Sequence, residues 1–221
     1  MPNSVQFYFD CVSPWSYVAF NVIRRYRQAW DINIDFCPRS LAYIMKYANN
    51  QPPVTVPNKG KYMVSELQNA KRMYGLTVKM PETFPFETFV LMGFLYKVKE
   101  QFPDKLEGLI ERSFNTVWRD GSPLQTVDQV RAMASDAFKN DSDSLSRILE
   151  FAASRDARRC LGEEGKSLVG QGAFGFPWIV ATRSLDGASM PVFGVDHMEN
   201  IAAFLHKPYL GPMASGETPR L

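Results

Sequence analysis

The hydrophobic period of this chain changes twice, and those two changes confine what it can fold into. Val5, Phe7 and Phe9 alternate with Gln6 and Tyr8, as in a mostly buried strand. Ser13 then Pro14 starts a helix: serine caps the first turn, and proline fits the first helical position because its missing N–H would have no partner there. That helix is expected to reach about Gln28, before Ile32, Ile34 and Phe36 alternate in a second strand ending at Pro38. A short helix from about Ser40 to Tyr47 leads into "NNQPPVTVPNKGKY", whose prolines and glycine read as a loop and a boundary. From there to about Leu168 almost every segment has helical period. Strands then return in "PWIVAT" and "MPVF", joined by the turn "SLDGAS", and a closing helix is expected from Asp196 to His206.

The order is therefore strand–helix–strand, a block of helices, then strand–strand–helix. That is the thioredoxin-like α/β fold, βαβ…ββα, with an all-helical insertion between its halves. The expected boundaries are 1–61 and 169–221 for a discontinuous thioredoxin-like domain and 62–168 for the insertion. A chain of 221 residues has room for this. Its 45% apolar and 22% charged residues are ordinary for a folded domain. A formal charge of +2 with no basic run argues against a nucleic-acid or acidic-membrane partner. The longest apolar block, Phe89 to Tyr96, is far short of the roughly 20 residues of a membrane span. The start "MPNSVQF" shows no signal-peptide pattern, so a soluble intracellular protein is expected. Cys11, Cys37 and Cys160 form no CxxC pair and are expected to be free thiols. Only His197 and His206 are present, which disfavours a multi-histidine zinc site, and no metal is expected.

Three motifs carry the candidate chemistry. In "FYFDCVSPWSY" a strand runs straight into a helix start, as in thiol redox proteins, but both positions of the CxxC box are serine, Ser13 and Ser16. Ser13 has two readings, a plain cap or a hydroxyl that donates to a ligand thiolate at the positive end of a helix. Such a terminus can lower a thiol pKa from near 8.5 to roughly 3.5–7.5. "GQGAFG", Gly170 to Gly175, satisfies GxGxxG, yet a helix precedes it and a strand follows, the reverse of a nucleotide-binding loop. Its glycines are read as ending a helix and threading a tight connection. Phe176-Pro177 opens the third strand, where the thioredoxin-like fold carries a cis proline; a trans proline that merely begins a strand is the alternative. Cys11 lies before the helix start and is read as a packed thiol.

Four stretches together resemble the kappa class of glutathione transferases, a family related to DsbA-type oxidoreductases and to 2-hydroxychromene-2-carboxylate isomerases. They are "FYFDCVSPWSY", "NNQPPVTVPNKGKYMVSEL", "GAFGFPWIV" and "VFGVDHMENIAAFLHKPYLGP", spread over nearly the whole chain. The resemblance implies glutathione as co-substrate and a small hydrophobic electrophile as its partner. It implies Ser13 as the catalytic hydroxyl on the glutathione sulfur, with Pro14 and Trp15 completing that helix start. Asn50 and Lys59 would contact glutathione, Lys59 through the glycyl carboxylate. Phe176, before Pro177, would pair its backbone with the cysteinyl part, and Val195 and Asp196 would hold the γ-glutamyl end. The family commonly reads Phe-Gly-Ser-Asp-Arg where this chain has "FGVDH". Val195 thus lacks a hydroxyl, and His197 replaces a permanent cation with a group mostly neutral at pH 7.

The resemblance further implies a homodimer and a peroxisomal, mitochondrial or cytoplasmic home; the terminal "PRL" only partly matches a peroxisomal SKL-type tripeptide. Two other functions stay open at this point. One is a glutathione-dependent isomerase acting on hydroxychromene carboxylates. The other is a non-catalytic glutathione- or peptide-binding module, motivated by Val195 and His197.

Overall fold

A computed structural model describes residues 2–214. The tripeptide "PRL" lies outside the described residues. Strand β1 (Asn3–Phe9) leads through a short turn into α1 (Pro14–Trp30), and β2 (Ile32–Pro38) returns parallel to β1. After α2 (Leu41–Tyr47) come a 3-10 turn (Pro53–Thr55), α3 (Pro57–Met73), α4 (Phe89–Gln101), α5 (Pro103–Phe114), α6 (Val127–Ala134), α7 (Ser142–Ala153) and α8 (Arg155–Gly170). β3 (Trp178–Thr182) and β4 (Ser189–Phe193) complete a sheet of order β2-β1-β3-β4, with β3 antiparallel to both of its neighbours. A 3-10 turn (Val195–His197) and α9 (Met198–Phe204) close it. This is the expected βαβ…ββα fold, with the helices between its halves.

The strand alternation explains the layering. Val5, Phe7 and Phe9 face α1 and the helices of the middle segment, while Tyr8 joins Cys37, Ile44, Leu168, Phe176 and Trp178 in a second cluster. Phe114, at the end of α5, is the wedge between the middle helices and the β1–α1 unit. Its ring lies 5.5 Å from Phe9, 5.9 Å from Tyr17 and 5.3 Å from Phe20. α1 ends where Asp31 turns left-handed (φ 48°) and its N–H reaches back to the Arg27 and Gln28 carbonyls.

Three sequence expectations need correction. The loop read from Asn49 to Tyr62 is helical from Pro57, because proline at the first helical position starts α3 instead of breaking it. Residues 74–88 are not helical; Gly75 at φ 61° ends the run, and Pro81 and Pro85 keep it from resuming. Instead this segment crosses α1, where the Tyr17 hydroxyl donates to the Thr77 carbonyl at 3.1 Å. The closing helix begins as a 3-10 turn, and its α-helical part spans only Met198–Phe204. Among the described residues no helix is long and apolar enough to cross a membrane.

The wedge gives the first prediction. Phe114→Ala removes a fully buried ring from the joint between sheet and insertion, and should cost about 3–5 kcal/mol in urea unfolding. A loss under about 0.5 kcal/mol, the range of surface substitutions, would mean that the sheet and the insertion do not depend on this joint.

Candidate active site

The site is built where β1 stops. The Ser13 N–H donates to the Asp10 carbonyl at 3.1 Å, which turns the chain, and Ser13 then caps α1 by accepting the Ser16 N–H at 3.1 Å. Its hydroxyl donates in turn to the carbonyl of Phe176 at 3.2 Å. Two motifs separated by more than 160 residues thus meet in one hydrogen bond. The first turn of α1 itself carries no acidic side chain; the nearest carboxylate, that of Asp10, lies beneath the loop and accepts the Val12 N–H just before the cap. Pro14 has no N–H to offer, and the Trp15 N–H takes no acceptor among the described residues. The Trp15 side chain is half-buried and leans on the main core.

The segment from Phe174 to Pro177 is the hub. Asn50 donates from Nδ2 to the Phe174 carbonyl at 2.8 Å, and its own Oδ1 accepts the Gln51 N–H at 2.8 Å. The Phe176-Pro177 peptide is cis, as the fold reading expected. The Pro177 carbonyl accepts the Gly194 N–H at 3.1 Å, which brings the β4–α9 turn to the same place. Gly194 sits at φ 90°, a backbone conformation that favours glycine. Val195 is buried, whereas the Asp196 carboxylate is exposed, with His197 Nδ1 3.3 Å away. The backbone N–H groups of Phe176 and Val195 also take no acceptor among the described residues.

Ser13, Pro14, Trp15, Asn50, Phe176, Pro177, Val195 and Asp196 are therefore linked through a few hydrogen bonds of one another. Lys59 is not: it is exposed on the first turn of α3 and makes no hydrogen bond or ion pair among the described residues. The glycines of "GQGAFG" do what the strand order implied. α8 ends at Gly170, Gly172 adopts φ 100°, and Gly175 lets the ring of Phe193 close to 2.9 Å of where a Cβ would sit. Cys11 is fully buried, and burial pushes its thiol well above the ordinary range, as a packed cysteine requires.

Sequence reasoning missed a set of residues beneath the loop. Asp10 is 1% exposed, and its carboxylate accepts the Val12 N–H (3.0 Å), the Leu41 N–H (2.8 Å) and the Thr88 hydroxyl (3.0 Å). Trp118 donates its indole N–H to the Cys11 carbonyl at 2.8 Å. Trp118 lies within a π-helical turn, Asn115–Arg119, that follows α5. The one available signal was an aspartate ending an apolar strand just before a helix cap.

Comparison with known proteins gives a consistent picture. Residues 4–206 match the family model described as a DSBA-like thioredoxin domain. Glutathione S-transferase kappa 1 of Homo sapiens is 28% identical over 226 aligned positions, covering 100% of this chain and 99% of that protein. A 2-hydroxychromene-2-carboxylate isomerase of Pseudomonas putida is 25% identical, over 78% of this chain and 82% of that protein. Among solved structures, a selenomethionyl 2-hydroxychromene-2-carboxylate isomerase superposes with a TM-score of 0.74 at 20% identity, covering 92% of this chain and 94% of that one. The last likeness is one of fold.

Burial raises the Asp10 carboxyl from 3.8 to about 6 against the three hydrogen bonds that lower it. Its native form thus holds the proton more tightly than the unfolded chain does. The stability this group contributes is complete below pH 3.8 and is lost as pH rises through about 6. The unfolding free energy of the wild type relative to Asp10→Asn should accordingly grow by ~2 kcal/mol between about pH 7.5 and 4.5, read by urea titration. A difference that stays constant with pH would contradict the shift.

Proposed function

From the premise that this chain belongs to the DSBA-like thioredoxin-domain family, we propose that it works as a glutathione transferase of the kappa class. The observation that carries the proposal is the Ser13 hydroxyl, fixed as the cap of a helix start and hydrogen-bonded to the carbonyl before the cis proline. The full-length similarity to a kappa-class transferase supports it. In this reading glutathione lies extended across the Phe174–Pro177 hub. Its cysteinyl unit pairs with the Phe176 backbone as a short added strand. The Val195 N–H takes the γ-glutamyl carboxylate and Asp196 takes the ammonium. Asn50 and Lys59 serve the other end, Lys59 through its exposed ammonium at the start of α3.

Binding and activation are then one event. The Phe176 carbonyl that now holds the Ser13 hydroxyl is the acceptor for the cysteinyl N–H. Once that N–H takes it, the Ser13 O–H, keeping its proton, turns to donate a hydrogen bond to the sulfur, while Ser13 Oγ still accepts from Ser16 and keeps its place. The thiol proton leaves to water, and the sulfur remains as a thiolate beside the Ser13 O–H and the Trp15 N–H. Lowering the thiol pKa by about two units means ~2.7 kcal/mol in favour of the anion. A hydrogen bond to a charged acceptor contributes roughly 1.5–3 kcal/mol, so the hydroxyl and the helix terminus suffice together. The thiolate attacks the electrophilic carbon of a small apolar substrate. With a chlorodinitrobenzene, the C–S bond forms and chloride departs. Neither Ser13 nor Ser16 can form a disulfide, which argues against dithiol exchange at this box.

The similarity to the Pseudomonas putida isomerase favours a second reading, in which the same thiolate adds reversibly to a hydroxychromene carboxylate. Turnover of that substrate with no conjugation of a chlorodinitrobenzene would select it. For either reading, the ultraviolet absorbance of bound glutathione should titrate below the free thiol. Ser13→Ala should raise that midpoint by at least ~1 unit, the loss of one charge-assisted hydrogen bond. An unchanged midpoint in Ser13→Ala would remove the role given to this hydroxyl.

A further inference from the structure

We propose that Asp10 is a positioning residue for this site: its carboxylate holds the loop that presents Ser13 and locks it to the N-termini of α2 and α4. The inference rests on the transferase reading only for its effect on catalysis. The geometry is independent of it. Oδ1 accepts the Val12 N–H, one residue before Ser13. Oδ2 accepts the Leu41 N–H at the start of α2 and the Thr88 hydroxyl at the start of α4. The main-chain carbonyl of the same residue accepts the Ser13 N–H. One side chain thus reaches three elements, and its own backbone sets the turn into α1.

A purely structural cap would not be made this way. Ser40, which precedes α2, makes no side-chain cap bond, so Asp10 replaces it from another element. No charged side chain faces the carboxyl among the described residues: its own loop presents the Val12 N–H and the Cys11 thiol, α2 the Leu41 N–H, and α4 the Thr88 hydroxyl. A buried carboxylate with hydrogen bonds and no cation opposes stability near neutral pH. What it gains in return is a pair of acceptors aimed at two N–H donors at once. Asparagine cannot supply them. It has one carbonyl oxygen, so its amide would face either the Val12 or the Leu41 N–H as donor against donor. The loop must then shift, and Ser13 with it.

The test has two arms. In the ligand-free protein, the backbone amide resonances of Val12, Ser13 and Trp15 should titrate together with a midpoint near 6. Asp10→Asn should abolish that titration, and Thr88→Val should move it upward by ~0.5–1 unit, since one bond to the charged form is lost. In the glutathione arm, Asp10→Asn should lower kcat by ~10- to 100-fold, with KM for glutathione changed less than about threefold. Amides that do not titrate near 6, or that titrate alike in Asp10→Asn, would overturn the positioning role. So would a folded Asp10→Asn protein that turns over at the wild-type rate. If the wild type neither binds nor activates glutathione, the transferase reading falls, while the amide titration still decides the role of Asp10.

Discussion

The hydrogen bond from the Ser13 hydroxyl to the Phe176 carbonyl, 3.2 Å long and buried, is the contact around which the rest of the site is arranged. It joins the first strand–helix turn to the segment before the third strand, just beyond the end of the β1–β3 pairing. Everything else at the site hangs from the same short segment: Asn50 through Phe174, and the Val195–Asp196 turn through Pro177 and Gly194. Because Ser13 is donor to one group and acceptor from another, its hydroxyl has one proton to give and one place to give it. A ligand that takes over the Phe176 carbonyl changes that place without moving the serine. The chemistry proposed here follows from this exchange.

The helices between the two halves are part of the site's foundation. Phe114 wedges its ring among Phe9, Tyr17 and Phe20, behind the strand that ends at the active loop. Trp118, on the π-helical turn that follows, holds the Cys11 carbonyl, and Thr88 holds Asp10. The loop from Asp10 to Ser13 therefore has hydrogen bonds to the insertion on one side and to α2 on the other. Ser16, the second serine of the box, is fully buried, and its hydroxyl has no partner among the described residues. Its backbone N–H is what serves the site.

Much of this was legible in the sequence, for reasons that differ by element. β1, β2, β3 and β4 were readable from alternation, and α1 from Ser13-Pro14, because those signals are local. The GxGxxG run was correctly set aside because its neighbours came in the wrong order. The helical start at Pro57 was hidden by a proline that serves as a first-turn residue there. The irregular stretch over residues 74–88 was hidden by apolar residues that serve tertiary contacts. Asp10, Thr88 and Trp118 were not legible at all, since nothing in the local pattern says that a strand end, a helix start and a π-helical turn will meet. Lys59 came from resemblance alone, and no hydrogen bond or ion pair among the described residues joins it to the others.

A crystal structure of the protein with bound glutathione tests the central exchange most directly. The account predicts that the sulfur lies within about 3.5 Å of Ser13 Oγ, a distance suited to a hydrogen bond to sulfur, and that the cysteinyl N–H has replaced the Ser13 hydroxyl on the Phe176 carbonyl. A complex in which Ser13 still donates to Phe176, with the sulfur held elsewhere, would contradict it.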